Sequence, residues 1–162
     1  SIIFITCFLE NVPLADTQYS LRQPSMIKAL KDNKVKIIID RATTITTKQI
    51  RWNNAGIVFK DLSIYNKINL TRKSKSSHGF SLKEVEEMLG YKLDIDNDTQ
   101  IFRYLTEREC WRLMGFEDKD FDSIKYKIKK DNLYTLAGNS IVVPVLEAIF
   151  KELLLKSETI CK

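Results

Sequence analysis

The 162-residue chain is 44% apolar and 29% charged, with a formal net charge of +5 and a pI near 9.0. That balance excludes wholesale disorder and leans toward a polyanionic partner, usually nucleic acid. Cys7, Cys110 and Cys161 form neither a CxxC pair nor a metal pattern, so reduced intracellular thiols, a cytoplasmic location and no metal site are expected. No run reaches the roughly 20 apolar residues of a membrane span.

Ile2–Leu9 is β-branched and aromatic and reads as a buried strand, met in mid-protein as in a fragment. "QPSMIKALKD" reads as a short helix opened by Pro24 and Ser25, and "KVKIIID" as a strand. The stretch "RATTITTKQIRWNNAGIVF" is threonine-rich and broken by Asn53-Asn54 and Gly56, which suggests irregular strands and loops. "NKINLTRKSKSSHGF" carries Lys67, Arg72, Lys73 and Lys75 with no acidic residue.

Ser81-Leu82-Lys83-Glu84 is a capping box opening a helix with Val85, Met88 and Leu89 on one face. Thr106-Glu107-Arg108-Glu109 is a second, with Leu105 and Cys110 at the positions of a hydrophobic staple. Gly115 is expected to end that helix, and "FEDKDFDS" to follow as a loop. A last helix is predicted from about Ser140 to Leu155, with Val142, Leu146, Ile149, Phe150 and Leu153 on one face and Pro144 in its first turn.

The segments "FRYLTERECWRLMGFEDKDF" and "LYTLAGNSIVVPVLEAIFKEL" together resemble the ninth and tenth conserved motifs of the cytosine-5 DNA methyltransferases. Arg103, Leu105, Thr106, Arg108, Glu109, Arg112, Leu113, Gly115 and Phe116 fit the former, and Ala137 to Val145 the latter. Both in this order make a strong signal. Thr44-Ile45 resembles the Thr-Leu step of the family's target recognition domain. The family's proline after Gly-Phe is Glu117 here, which predicts an irregular path to Asp131. Glu10-Asn11-Val12 spells the family's glutamate motif, but no Q-x-R-x-R strand follows, so it reads as a chance match. The glycine-rich motif and the Pro-Cys nucleophile motif are absent, and no cysteine follows a proline.

The resemblance implies an α+β fold. A small target recognition domain of irregular twisted strands with flanking helices would be joined to a stray strand and a C-terminal helix of an α/β methyltransferase domain. The expected divisions are residues 1–12, 13–130 and 131–162. The implied function is DNA recognition plus one cofactor wall of an enzyme that transfers a methyl group from S-adenosylmethionine to cytosine C5. No catalytic residue is assigned, and the isolated chain is expected to be inactive.

Asn139, Ser140 and Ile141 are the expected cofactor contacts, and Asn139 and Ser140 also suit helix capping. Thr44, Thr46, Thr47, Lys48, Gln49 and Arg51 are expected to face double-stranded DNA, although threonine simply favours strands. Arg72 and Lys73 are expected phosphate clamps in a loop that equally suits solvent. The ninth-motif arginines and Glu109 are read as an ion-pair network that organises the domain. The remaining N-terminal catalytic part is an expected partner, and exposed apolar faces suggest a homodimer. The alternatives are a separate specificity subunit of a split methyltransferase and a non-catalytic nucleic-acid-binding module.

Overall fold

A computed structural model describes residues 5–51, 54–68, 79–98 and 100–160, with side chains to residue 155. The expected contacts Arg72 and Lys73 lie outside the described residues.

The fold is α+β, as the sequence predicts. Helix α1, Pro24–Lys31, starts at a proline whose missing N–H costs nothing in a first turn, and it buries Met26, Ala29 and Leu30. Strand β1, Ile57–Phe59, pairs antiparallel with β2, Phe102–Tyr104. Helix α2, Leu82–Leu89, and helix α3, Glu107–Leu113, both begin at the predicted capping boxes. In each, the Ser81 or Thr106 hydroxyl accepts the third residue's N–H while that residue's carboxylate accepts back. Three further helices follow: α4, Asp118–Ile124, α5, Lys130–Asn139, and α6, Val143–Ile160.

"KVKIIID" contributes less regular structure than the predicted strand. Ile37 makes single bridges to Ile57 and Phe80, and Val35, Ile37, Ile38 and Ile39 are all buried. The backbone of this run bonds to two neighbours, Ile37 with Phe80 and Ile38 with Ile57, without forming a ladder. At the N-terminus, Ile5–Cys7 is a 3-10 turn instead of part of a strand; residues 1–4 of that expectation are outside the description. The expected loop after Gly115 is also corrected. Asp120 accepts the Glu117 N–H, and α4 turns Phe121 into the core.

One apolar core draws on residues from Ile5 to Ala137. Helix α6 stands outside it. Val145, Ile149, Phe150, Leu153, Leu154 and Leu155 are each about half exposed or more. Lys130–Leu155 is long enough to cross a membrane and contains an 18-residue window of mean hydropathy 1.5, against the expectation of no such span. Ser140, in extended backbone, splits that stretch between α5 and α6. Glu147, Lys151 and Glu152 interrupt α6, and charges at mid-membrane depth are costly.

Candidate nucleic-acid and cofactor interface

The ninth motif is built around a buried ion pair. Arg103 donates through Nη1 and Nη2 to both Glu109 oxygens at 2.8 and 2.7 Å, and neither side chain is exposed. Arg103 also donates to the carbonyls of Tyr104 and Glu10. Glu109 accepts the N–H groups of Thr106 and Glu10. These further hydrogen bonds offset much of the cost of burying the pair, although the Arg103 Nε is buried without a partner among the described residues.

Arg108 and Arg112 extend the network outward. Arg108 pairs with Glu10 at 3.0 Å and Asp122 at 2.6 Å, and lies over the Phe121 ring. Arg112 pairs with Asp118 at 2.6 Å. Hydrogen bonds from Arg108 and Lys125 hold the Asp122 carboxyl down at about 2, and Arg112 lowers Asp118. Glu10, of the "ENV" match, is occupied by this scaffold: its carboxylate accepts the Thr106 hydroxyl and pairs with Arg108.

The tenth motif is docked directly onto the ninth. Trp111 Nε1 donates to the Leu133 carbonyl at 3.0 Å, and the Tyr134 hydroxyl to the Leu105 carbonyl at 2.7 Å. Gly115 has φ +87, and a Cβ there would strike Pro144. The Val143 N–H donates to the Met114 carbonyl. The glycine of one motif thus seats the proline of the other. Cys110 is buried between them, and burial pushes its thiol well above the ordinary value.

Gly138-Asn139-Ser140 overturns the expected helix start. Gly138 and Asn139 close α5, and Ser140 is its C-terminal cap, with its hydroxyl donating to the Ala137 carbonyl at 2.7 Å. The reason is tertiary. Leu133, Tyr134 and Ala137 carry the helix into the core, and Gly138 lets it lie against another backbone. A Cβ on Gly138 would fall 2.5 Å from the Thr47 nitrogen and 2.6 Å from the Thr46 carbonyl carbon. Asn139 and Ile141 are exposed. Among the described residues the N–H groups of Ile141 and Val142 have no acceptor. Free donors therefore do sit at the head of a helix, but it is α6, and they lie just past Ser140.

The threonine-rich loop runs alongside α5. Its start, Thr43 to Ile45, shares a cleft with Met114, Gly138, Ser140 and Val142. Its end, Thr47 to Arg51, shares another with Asp131, Tyr134 and Thr135. Thr44, Lys48 and Arg51 are exposed, and Thr46 and Thr47 half-buried. The expectation that Gln49 faces DNA is corrected. It is 1% exposed, and its amide donates to the Thr46 carbonyl and accepts the Ala55 N–H. It shapes the loop that presents Lys48 and Arg51. Among the described residues no cluster of three or more His, Cys, Asp or Glu is placed to hold a metal.

A family model described as C-5 cytosine-specific DNA methylase matches residues 3–155. The chain is 57% identical over 51 residues to the type II methyltransferase M2.ScrFI of Lactococcus lactis subsp. cremoris, covering 32% of this chain and 14% of that protein. It is 53% identical over 53 residues to the orphan methyltransferase M.Rho11sI of Bacillus phage rho11s, covering 32% and 10%. These matches thus span a small fraction of the relatives' lengths. Its fold is similar to that of the S. pombe Dnmt2 methyltransferase, with TM-score 0.61 and 20% identity over 98% of this chain and 44% of that one. The Entamoeba histolytica methyltransferase EhMeth gives 0.55 and 18%, over 93% and 41%.

Proposed function

The chain belongs to the C-5 cytosine-specific DNA methylases, and from that premise we propose that it supplies DNA recognition and one cofactor wall for methyl transfer to cytosine C5. In this reading residues 13–130 recognise DNA, and residues 1–12 and 131–162 belong to the catalytic domain. The observation that carries it is the packing of the Thr43–Arg51 loop along α5, which puts free cations and the tenth-motif turn on one scaffold.

Lys48 and Arg51 supply phosphate donors, and Thr44 and Thr47 add hydroxyls at the rim. Asn139, Ser140 and Ile141 fit the polar groups of S-adenosylmethionine. The Asn139 amide is exposed, and two unpaired N–H groups follow at the head of α6. Ser140 holds the turn in place through its bond to Ala137. When bound, S-adenosylmethionine supplies the methyl group. The chain's own share is to bind and orient, because its sequence holds no Pro-Cys nucleophile. The target cytosine must leave the duplex stack to react, so a part that grips the flanking backbone serves the step directly. The exposed apolar side of α6 suits burial against the rest of the methyltransferase domain.

The test is reconstitution. The chain is mixed with the N-terminal part of the Lactococcus relative, which must bring the glycine-rich and Pro-Cys motifs, and labelled methyl incorporation into duplex DNA is measured. Incorporation that needs both parts is expected. Tight DNA binding by the mixture without methyl transfer would favour the non-catalytic module instead.

A further inference from the structure

We propose that Arg22 joins Lys48 and Arg51 in a track for the sugar-phosphate backbone of double-stranded DNA, crossing the wall formed by Ile50 and Tyr134. This rests on the recognition reading above and extends it to Thr17–Gln23, a segment that no motif marks.

Two clefts share that wall. One, of about 280 Å³, holds Lys48 and Arg51. The other, of about 360 Å³, is bordered by Tyr19, Arg22, Gln23 and Lys130. Ile50 and Tyr134 line both. Two regions far apart in sequence, before α1 and before β1, therefore present cations to one continuous surface.

The state of those cations decides the assignment. Arg22, Lys48 and Arg51 are exposed, and among the described residues their side chains have no hydrogen bond or ion pair. Lys130 is already occupied, 3.2 Å from Glu107 and 4.0 Å from the centre of the Tyr19 ring. Asp131 is the carboxylate that lines the first cleft. Among the described residues, three free cations thus face one free acid. A phosphate approaching Arg22 displaces only counterions, and their release drives binding. A phosphate approaching Arg108 or Arg112 would instead have to compete with Asp122 and Asp118. Gln18 and Gln23, both exposed, add amide donors for phosphate and sugar oxygens on the Arg22 side.

The experiment is fluorescence anisotropy of a fluorescein-labelled DNA duplex titrated with the whole chain at several salt concentrations. Arg22→Ala should lower the slope of log affinity against log salt by about 1, equally for two unrelated duplex sequences. Lys83→Ala removes an exposed charge on α2, outside both clefts, and should leave the slope unchanged. Unchanged thermal unfolding of Arg22→Ala would exclude a folding defect. Equal losses from the two variants would reduce the effect to net charge and overturn the track. A wild-type slope in Arg22→Ala, with Lys48→Ala and Arg51→Ala reduced, would overturn the track while leaving the recognition loop standing. No binding by the unaltered chain would overturn both.

Discussion

Arg103, Arg108 and Arg112 turn onto carboxylates, whereas Arg22, Lys48 and Arg51 stand unpaired among the described residues at the rim of two clefts. The contrast separates two uses of one charge. In the ninth motif the guanidinium groups hold α3 to Glu10, α4 and the end of β2. Around the threonine-rich loop, Gln49 and Asn54 do the holding through amide hydrogen bonds, which leaves the cations free. A cluster of basic residues in a DNA-modifying family is therefore a poor guide to DNA contact until its internal partners are counted.

The sharpest way to break this contrast is Glu109→Gln, which leaves Arg103 buried without its counter-charge. A loss of about 3–5 kcal/mol is expected from breaking such a pair, read from urea unfolding. A loss near zero would mean that the ninth motif is not the scaffold. Gly138→Ala should cost about 1–3 kcal/mol, the usual range for forcing extra atoms into a packed site. Because the clash is with Thr46 and Thr47, DNA binding should weaken alongside stability; unaltered stability would detach the loop from α5.

Lys48→Ala with Arg51→Ala should do the reverse. Stability should stay within about 0.5 kcal/mol, as at ordinary surface sites, while the salt slope of DNA binding falls by about 2. A fall in stability would blur the two classes. The smallest effect is expected in acid. The Asp118 and Asp122 carboxyls are held below their unfolded value, so their contribution is present above about pH 4 and lost as pH falls through their lowered folded values, about 2 for Asp122. Both groups are exposed, so added salt should flatten this step.

Local sequence was a good guide wherever one turn decides the outcome. Ser81 and Glu84, and Thr106 and Glu109, cap as their spacing predicts, and Gly115 takes the left-handed conformation expected after a helix. It misled where a distant backbone decides. Asn139 and Ser140 have the chemistry of a helix start, yet the Thr46–Thr47 peptide and the core positions of α5 make them a helix end. Gln49 is expected to face DNA with the rest of its loop; only the fold shows its amide turned inward. Arg22 sits beside no motif, and its relation to Lys48 exists only through the shared wall of Ile50 and Tyr134. The α+β class was legible, while the small sheet came out shorter than its β-rich sequence suggested.

Cys110 turns the docking of the two motifs into something that can be timed. Its thiol is sealed between α3 and α5 and kept protonated by burial, so a disulfide reagent reaches it only when the helices part. Cys7 is exposed and reacts from the folded state. The lag between the two reactions is a clock for how often the ninth motif lets go of the tenth.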